Sequence, residues 1–288
     1  MFEAKFENER GQIFFGGGRN PWFNTTKIEG LSLPEREFVV TGYAGQAGQI
    51  LLSERDMART ITIAGDMIDK ESVRSELTRM MQILYIPGRM TIASDGRKRV
   101  ISCRCNHVSE PERKGTKAVS MVLQFTCDQP YFQDESPCEF TLFSRRDLVQ
   151  SSFTLPCLFT KRTNRVSVVN QGDIQTEPIL TVYHDSRERP MTLETDESGL
   201  EIINHTTGQR IILERETVLG EVVTIDIPNR RITSSVLGDI THMISQDTFL
   251  SRFFLAVGSN DMEVINHRHG EGIATMMRYE NRYIEAVV

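Results

Sequence analysis

The chain has 288 residues, 39% of them hydrophobic and 25% charged, with a formal net charge of -6. That length accommodates two domains with separate cores, no apolar run approaches the roughly 20 residues of a spanning helix, and the acidic balance has the wrong sign for a duplex-binding footprint. No membrane insertion is expected. Residues 1–135 carry 18 Lys and Arg against 18 Asp and Glu, so the whole acidic excess falls in the remainder. The charged N-terminus, MFEAKFENERGQIFF, lacks the pattern of an export signal, and synthesis in a cytoplasm is expected. Five cysteines, an odd number crowded between Cys103 and Cys157, argue for small buried side chains rather than a disulfide framework.

Glycine punctuates the first part of the chain. FFGGGRNPW (Phe14–Trp22) and GYAGQAGQ (Gly42–Gln49) lack the GK[ST] ending and following helix of a phosphate-binding loop, and both are read as turns. RTITIAG (Arg59–Gly65) then alternates as a strand with one buried face. A single helix is predicted over about Lys70 to Tyr85, capped by Asp69, with a stripe of Val73, Leu77, Met80, Met81 and Leu84, and stopped by Pro87-Gly88.

GRMTIAS (Gly88–Ser94), KRVISCRC (Lys98–Cys105) and AVSMVLQFTC (Ala118–Cys127) are further alternating strands. The turn at Asp95-Gly96 puts Arg97, Lys98 and Arg99 at a hairpin tip, either solvated or in electrostatic contact with an acidic surface of another subunit. ISCRCNH (Ile101–His107) places two thiols and an imidazole on one strand face. Without a matching pair elsewhere for a tetrahedral zinc site, that face is read as core. No catalytic, cofactor or metal residues are assigned.

The span from Asp128 to about Asn170 is turn-rich and alternates poorly. A domain boundary is placed there, giving domains at 1–135 and 170–288 with a junction at 136–169. Beyond it, PILTVYH (Pro178–His184), RIILERE (Arg210–Glu216) and EVVTIDI (Glu221–Ile227) alternate as strands, with turns at Thr207-Gly208 and Leu219-Gly220. Ser245–Asn260 mixes a helical turn with a strand. The acidic run Tyr183–Glu201 is read as a solvated loop rather than a glycosidase carboxylate pair, which would need a cleft with an aromatic wall. HRHGEG (His267–Gly272) is read as a polar turn rather than a metal site, because His184, His205 and His242 are isolated.

The order of short motifs resembles the distal tail proteins of long-tailed, siphovirus-type bacteriophages. In the first half these are Ile28-Glu29-Gly30-Leu31 with Pro34 and Arg36, Gly42 and Gly45, Arg59-Thr60-Ile61-Thr62-Ile63, and Val122–Phe132, in which Gln129 stands between Asp128 and Pro130. In the second they are Asn170-Gln171-Gly172-Asp173 with Thr176, Pro178 and Ile179, Ile203-Asn204 with Thr206-Thr207-Gly208, Gly220 before Ile225-Asp226, Arg231, Phe249-Leu250, Val257-Gly258-Ser259-Asn260, and Arg278-Tyr279 through Tyr283.

The resemblance implies a mainly β chain: an N-terminal ring-forming β-sandwich with one helix, and a C-terminal galectin-like β-sandwich. It implies a structural protein of the virion tail tip, of an infectious phage or a prophage, forming a homo-hexamer. The ring would join the tail tube protein to the tail-associated hub or lysin protein, near the tape measure protein, and carry receptor-binding or other baseplate parts. DNA would only pass through its pore, past neutral or weakly acidic walls. No cofactor and no enzymatic activity are expected. The alternatives are a carbohydrate-binding module for host wall polymer and a metal-dependent hydrolase. Residues 170–288 lack tryptophan and the His-x-Asn-x-Arg strand of galectins, which argues against lectin activity.

Overall fold

The computed structural model describes residues 3–16, 23–45, 47–68, 73–94, 96–114, 118–142, 144–147, 160–163, 165–184, 199–266 and 273–286. Two compact units are present, Met1–Glu135 together with Tyr283–Val288, and Ser136–Arg282. The polar turn expected at His267–Gly272, the helix cap at Asp69, Trp22, Cys157 and residues 185–198 of the acidic run lie outside the described residues.

The first unit contains β1 (Glu3–Asn8), β2 (Gly11–Gly16), β3 (Phe23–Glu29), β4 (Arg36–Thr41), β5 (Ile50–Asp56), β6 (Arg59–Ile68), α1 (Val73–Leu84), β7 (Gly88–Ser94), β8 (Arg97–Val108), β9 (Glu112–Lys114), β10 (Ala118–Cys127) and β11 (Phe132–Gln133). Seven strands pair in the order β2-β1-β7-β8-β10-β6-β3, all antiparallel. Period-2 alternation drives this pairing. Ala4 and Phe6, Ile13 and Phe15, Ile61 and Ile63, Met90 and Ile92, and Met121, Leu123 and Phe125 all enter one core. The path curls on itself, because Phe15 of β2 meets Phe23 of β3 edge-on at 5.4 Å although the two strands end opposite sides of the path. Phe6 and Phe15 both reach Phe125, at 5.3 and 6.2 Å, filling the middle with tilted aromatic pairs.

Helix α1 buries Met80, Ile83 and Leu84 and half-buries Leu77. Met81, expected in the stripe, is instead 37% exposed. Its place is taken by Ile83, on the side of the helix that faces the β1–β2 turn. Asn8 Nδ2 donates to the carbonyls of Ile83 at 2.7 Å and Ile86 at 3.0 Å, so the turn satisfies acceptors that the helix end leaves open.

The second unit contains β12 (Cys138–Thr141), β13 (Ser144–Asp147), β14 (Thr160–Thr163), β15 (Arg165–Asn170), β16 (Ile179–His184), β17 (Leu200–Asn204), β18 (Gln209–Leu213), β19 (Val222–Asp226), β20 (Arg231–Ser234), β21 (Gly238–Asp239), β22 (Gly258–Asn266) and β23 (Ile273–Tyr279); β24 (Arg282–Tyr283) straddles the boundary at residue 282. A six-stranded sheet, β12-β23-β16-β19-β20-β21, and a four-stranded sheet, β15-β22-β17-β18, share one core. Leu180, Val182, Val223 and Ile225 come from the first sheet, and Val168, Ile202, Ile211 and Val264 from the second. β12, β13, β14 and all but the last residue of β15 come from the span 136–169. The ambiguous span 245–260 holds a short 3-10 turn, Leu250–Arg252, and the start of β22.

The asparagines of the sequence motifs are buried turn organisers. Asn170 Oδ1 accepts from Gly172 N at 2.9 Å while its Nδ2 donates to Ile174 O at 2.9 Å. A Cβ at Gly172 would fall 2.5 Å from Arg282 O, so only glycine fits beside that strand. Asn204 and Asn260, both fully buried, bond each other at 3.2 Å and hold the chain at Thr206, Phe254 and Ala256. Each is a short polar side chain standing in for backbone partners.

Candidate functional site

β4 and β5 form a two-stranded sheet of their own, joined by the glycine-rich Gly42–Gln49 stretch. At its base, Arg36 bonds Asp56 at 2.9 Å and Arg55 bonds Glu37 at 2.5 Å, cross-strand pairs that fix the register. Farther out the charges give way to apolar side chains on both faces. Phe38 and Val40 project to one side with Leu51 opposite Val40, and Val39 projects to the other, where Ile50 lies opposite Thr41. A bulge between Val39 and Val40 leaves Leu52 without a cross-strand partner in the ladder.

These side chains stand in solvent: Phe38 50%, Val39 49%, Ile50 48%, Leu51 52% and Leu52 61% exposed. With Leu33, Val40 and Tyr43 the exposed apolar surface is on the order of 700 Å², taking about 150–200 Å² for each large side chain. A monomeric protein rarely leaves so much apolar surface exposed around one two-stranded element. The alternation rule passed over this arm because its apolar residues are consecutive, Val39-Val40 and Ile50-Leu51-Leu52, as befits an element with no buried face. Mirrored charges in REFVVT and LLSERD around a glycine-rich turn were the available signal.

The hairpin carrying Arg97, Lys98 and Arg99 is found, with Ser94 opposite Arg97 and Gly96 at φ +83° in the turn. Its cations are not equivalent. Arg99 bonds Asp134 at 2.7 Å and lies 3.4 Å over the Tyr283 ring, and Lys98 pairs with Glu135 at 3.5 Å. Arg99 is therefore engaged within its own unit, and Arg97 is left at the exposed end. Beside them a shallow cavity of about 330 Å³ is bordered by Glu3, Lys5, Lys98 and Glu135. Lys5 is itself paired with Glu7 at 2.6 Å, so charge is balanced locally.

The face of Ile101 and Cys103 enters the core, as expected, with Cys105 half-buried and His107 exposed. Cys103 hydrogen-bonds Cys127, and that bond together with burial pushes its thiol far above the ordinary range. A protonated, buried thiol is neither a nucleophile nor a metal ligand. Among the described residues no group of three or more His, Cys, Asp or Glu is arranged to hold a metal ion.

Residues 171–283 match the family model described as the siphovirus-type tail component, C-terminal domain. Over those residues, most of the second unit, the chain is similar to a phage tail component of the siphovirus type, the resemblance that the sequence motifs carry. The fold is similar to the crystal structure of the Dit protein of phage SPP1, described as a paradigm of the hub adsorption apparatus in Gram-positive infecting phages. Identity is 14% and the TM-score 0.65, covering 98% of this chain and 99% of that one. A chain of the phage P2 baseplate in its activated conformation with calcium is similar at 9% identity and a TM-score of 0.46, covering 96% of this chain and 97% of that one. No curated protein sequence matches.

Proposed function

We propose that the chain is a non-enzymatic distal tail protein, whose first unit closes a hexameric ring between the tail tube and the tail-associated hub protein. The second unit, in this reading a galectin-like sandwich, carries receptor-binding or other baseplate parts, and the tape measure protein ends nearby. DNA passes through the ring without being held, past walls drawn from a unit whose sequence is close to charge balance. Synthesis takes place in the bacterial cytoplasm.

The observation that carries the reading is the arm, β4–β5. Summed over both faces, its exposed apolar area is on the order of 700 Å², more than a protein without a covering partner usually leaves in solvent. Its two faces are both apolar but built from different residues, Phe38, Val40 and Leu51 against Val39 and Ile50. Unlike faces on one element suit a head-to-tail contact, in which each copy both covers and is covered, and such contacts generate rings when the rotation closes. Arg97 at the end of the β7–β8 hairpin is a secondary contact to an acidic neighbour.

The test is the oligomeric state of the purified chain by light scattering and class-averaged electron micrographs. Six-fold rings with a central hole are expected, reduced to folded monomers by Phe38→Asp with Leu51→Asp. A parent chain that stays monomeric at every concentration, or rings indifferent to both substitutions, would overturn the reading.

A further inference from the structure

Two turns of the second unit repeat one local sequence. Thr217-Val218-Leu219-Gly220-Glu221 and Ser235-Val236-Leu237-Gly238-Asp239 each place a hydroxyl residue, valine, leucine, a glycine at φ +76° and an acid in the same order. The first precedes β19 and the second follows β20, and these strands pair with Val223 opposite Ser234. Ser235 N donates to Val222 O at 2.9 Å, which sets the two turns side by side at one end of the sheet.

Their adjacency is built from a buried charge. Arg215 binds the Glu221 carboxylate through both nitrogens, at 2.5 and 3.0 Å, while Val218 N donates to it at 2.8 Å and Ser234 Oγ donates to it as well. That Ser234 Oγ in turn accepts from Val236 N at 3.0 Å and Leu237 N at 3.2 Å. One carboxylate with a fully buried side chain thus fixes the backbone of both turns. On the other side, His184 anchors the first turn through Thr217 Oγ1 at 2.9 Å and through its carbonyl to Gly220 N at 3.1 Å.

What this network holds up is aliphatic and exposed: Val218 48%, Leu219 64%, Val236 59% and Leu237 54%. Burying a carboxylate is costly, and the sheet could close this end with apolar residues instead. The network makes sense as the support of a rigid tip, in the way that binding groups need a fixed shell behind them.

We propose that the paired valine-leucine turns are a docking tip that inserts into an uncharged apolar groove on a different protein of the tail. The exposed area, roughly 400 Å² at about 150–200 Å² per large side chain, decides against a second copy as occupant. Two tips face to face would bury about 800 Å² in total, below the roughly 1,200 Å² of a stable interface. No lysine, arginine or aromatic residue lies within either turn, so neither lipid headgroups nor a sugar ring finds its usual partner there.

The proposal rests on the tail-component reading and not on the hexamer. Its test is the rate of N-ethylmaleimide labelling of Leu219→Cys and Leu237→Cys, above the background of the parent chain, in purified protein and in assembled tails. Asn229→Cys, at the exposed opposite end of β19–β20, serves as the control. At least tenfold slower labelling of the two tip sites in tails, with the control unchanged, is expected. A chain present in tails with tip sites as reactive as in free protein overturns the tip alone. A chain absent from tails overturns the tail reading along with it. Sedimentation of purified protein with phosphatidylglycerol vesicles, lost in Leu219→Asp with Leu237→Asp, would assign the tip to a membrane instead. Self-association lost in the same variant would assign it to a second copy.

Discussion

Arg59 Nη2 donates to the main-chain carbonyl of Ile284 at 2.6 Å, across 225 positions of sequence. The same guanidinium, 2% exposed, donates to Pro130 O and Gly30 O at 2.7 Å each and to Ser32 O, and lies 4.7 Å over the Phe132 ring. Only a planar head with five donors in a fixed fork serves four carbonyls at once. Arg59→Met keeps the stem's packing but leaves those acceptors unpaired. At ~1–3 kcal/mol for a buried unsatisfied group, a loss of about 3 kcal/mol or more is expected in guanidinium denaturation. A change under ~0.5 kcal/mol, the range of an ordinary surface substitution, would show that the clamp carries nothing.

The last residues are structural parts of the first unit. Ala286 is fully buried and its N–H donates to Leu31 O at 2.8 Å, and Tyr283 Oη donates to Asp134 at 3.1 Å beneath Arg99. Removing residues 284–288 strips Arg59 of one acceptor and opens the core beside Leu31. Amide exchange should accelerate in β3, β6 and β11 of the shortened chain and stay unchanged in β16 and β19. Uniform protection in both chains would mean the segment is dispensable.

Gly30 should tolerate no side chain. It sits at φ +87°, and a Cβ there would stand 2.1 Å from Thr60 O, a main-chain atom of a central strand that cannot move aside. Gly30→Ala therefore combines backbone strain with a steric clash, each of order 1–3 kcal/mol. The expected readout is a melting temperature lowered by several degrees, with the arm variant Phe38→Asp, which touches no core, as the unaffected comparison.

The strands that alternation revealed, such as β6, β7, β10, β16 and β19, are those with one face in a core, because period-2 patterning records burial and nothing else. The arm has no buried face, so its consecutive valines and leucines left no alternation to read. Gly30 and Arg59 stood out only as members of motifs, because their meaning lies in contacts from residues 30, 32, 130 and 284 to one guanidinium. The docking tip was hidden for the same reason: Leu219-Gly220 reads as an ordinary turn until Ser234 and Glu221 bring its twin beside it. Met81 was misplaced because helical spacing fixes an angle around the helix but not where the neighbouring β1–β2 turn ends.

Thiol chemistry separates the cysteines. Cys103 and Cys127 are free thiols, buried at 5% and 0% exposure and hydrogen-bonded to each other, with the Cys103 thiol held protonated. Since alkylation proceeds through the thiolate, mass spectrometry after iodoacetamide treatment at pH 8 should find both unmodified in folded protein and both modified in denaturant. Rapid native labelling of Cys103 would return that strand face to the chemically active class.

The Glu221 network makes the second unit acid-sensitive in one place. Burial by itself would raise this carboxyl's pKa, but hydrogen bonds from Arg215, Ser234 and Val218 N–H outweigh it and hold the group below its ordinary range. A carboxyl whose pKa is lower folded than unfolded contributes stability that is complete above its unfolded value, about 4.3, and is lost as pH falls through the folded one. Protonation removes the ion pair with Arg215 and the acceptor that aligns Ser234, so both turns loosen together. Below about pH 4, exchange of the Val218, Val236 and Leu237 amides should speed up before the strands β19 and β20 do. Glu221→Gln, which keeps the shape but not the charge, should show that faster exchange already at pH 7 and cost about 2–3 kcal/mol, the penalty for leaving a charged partner unmatched. If the variant's turns remain as protected as the parent's and its acid profile is unchanged, the carboxylate is not what joins the two turns.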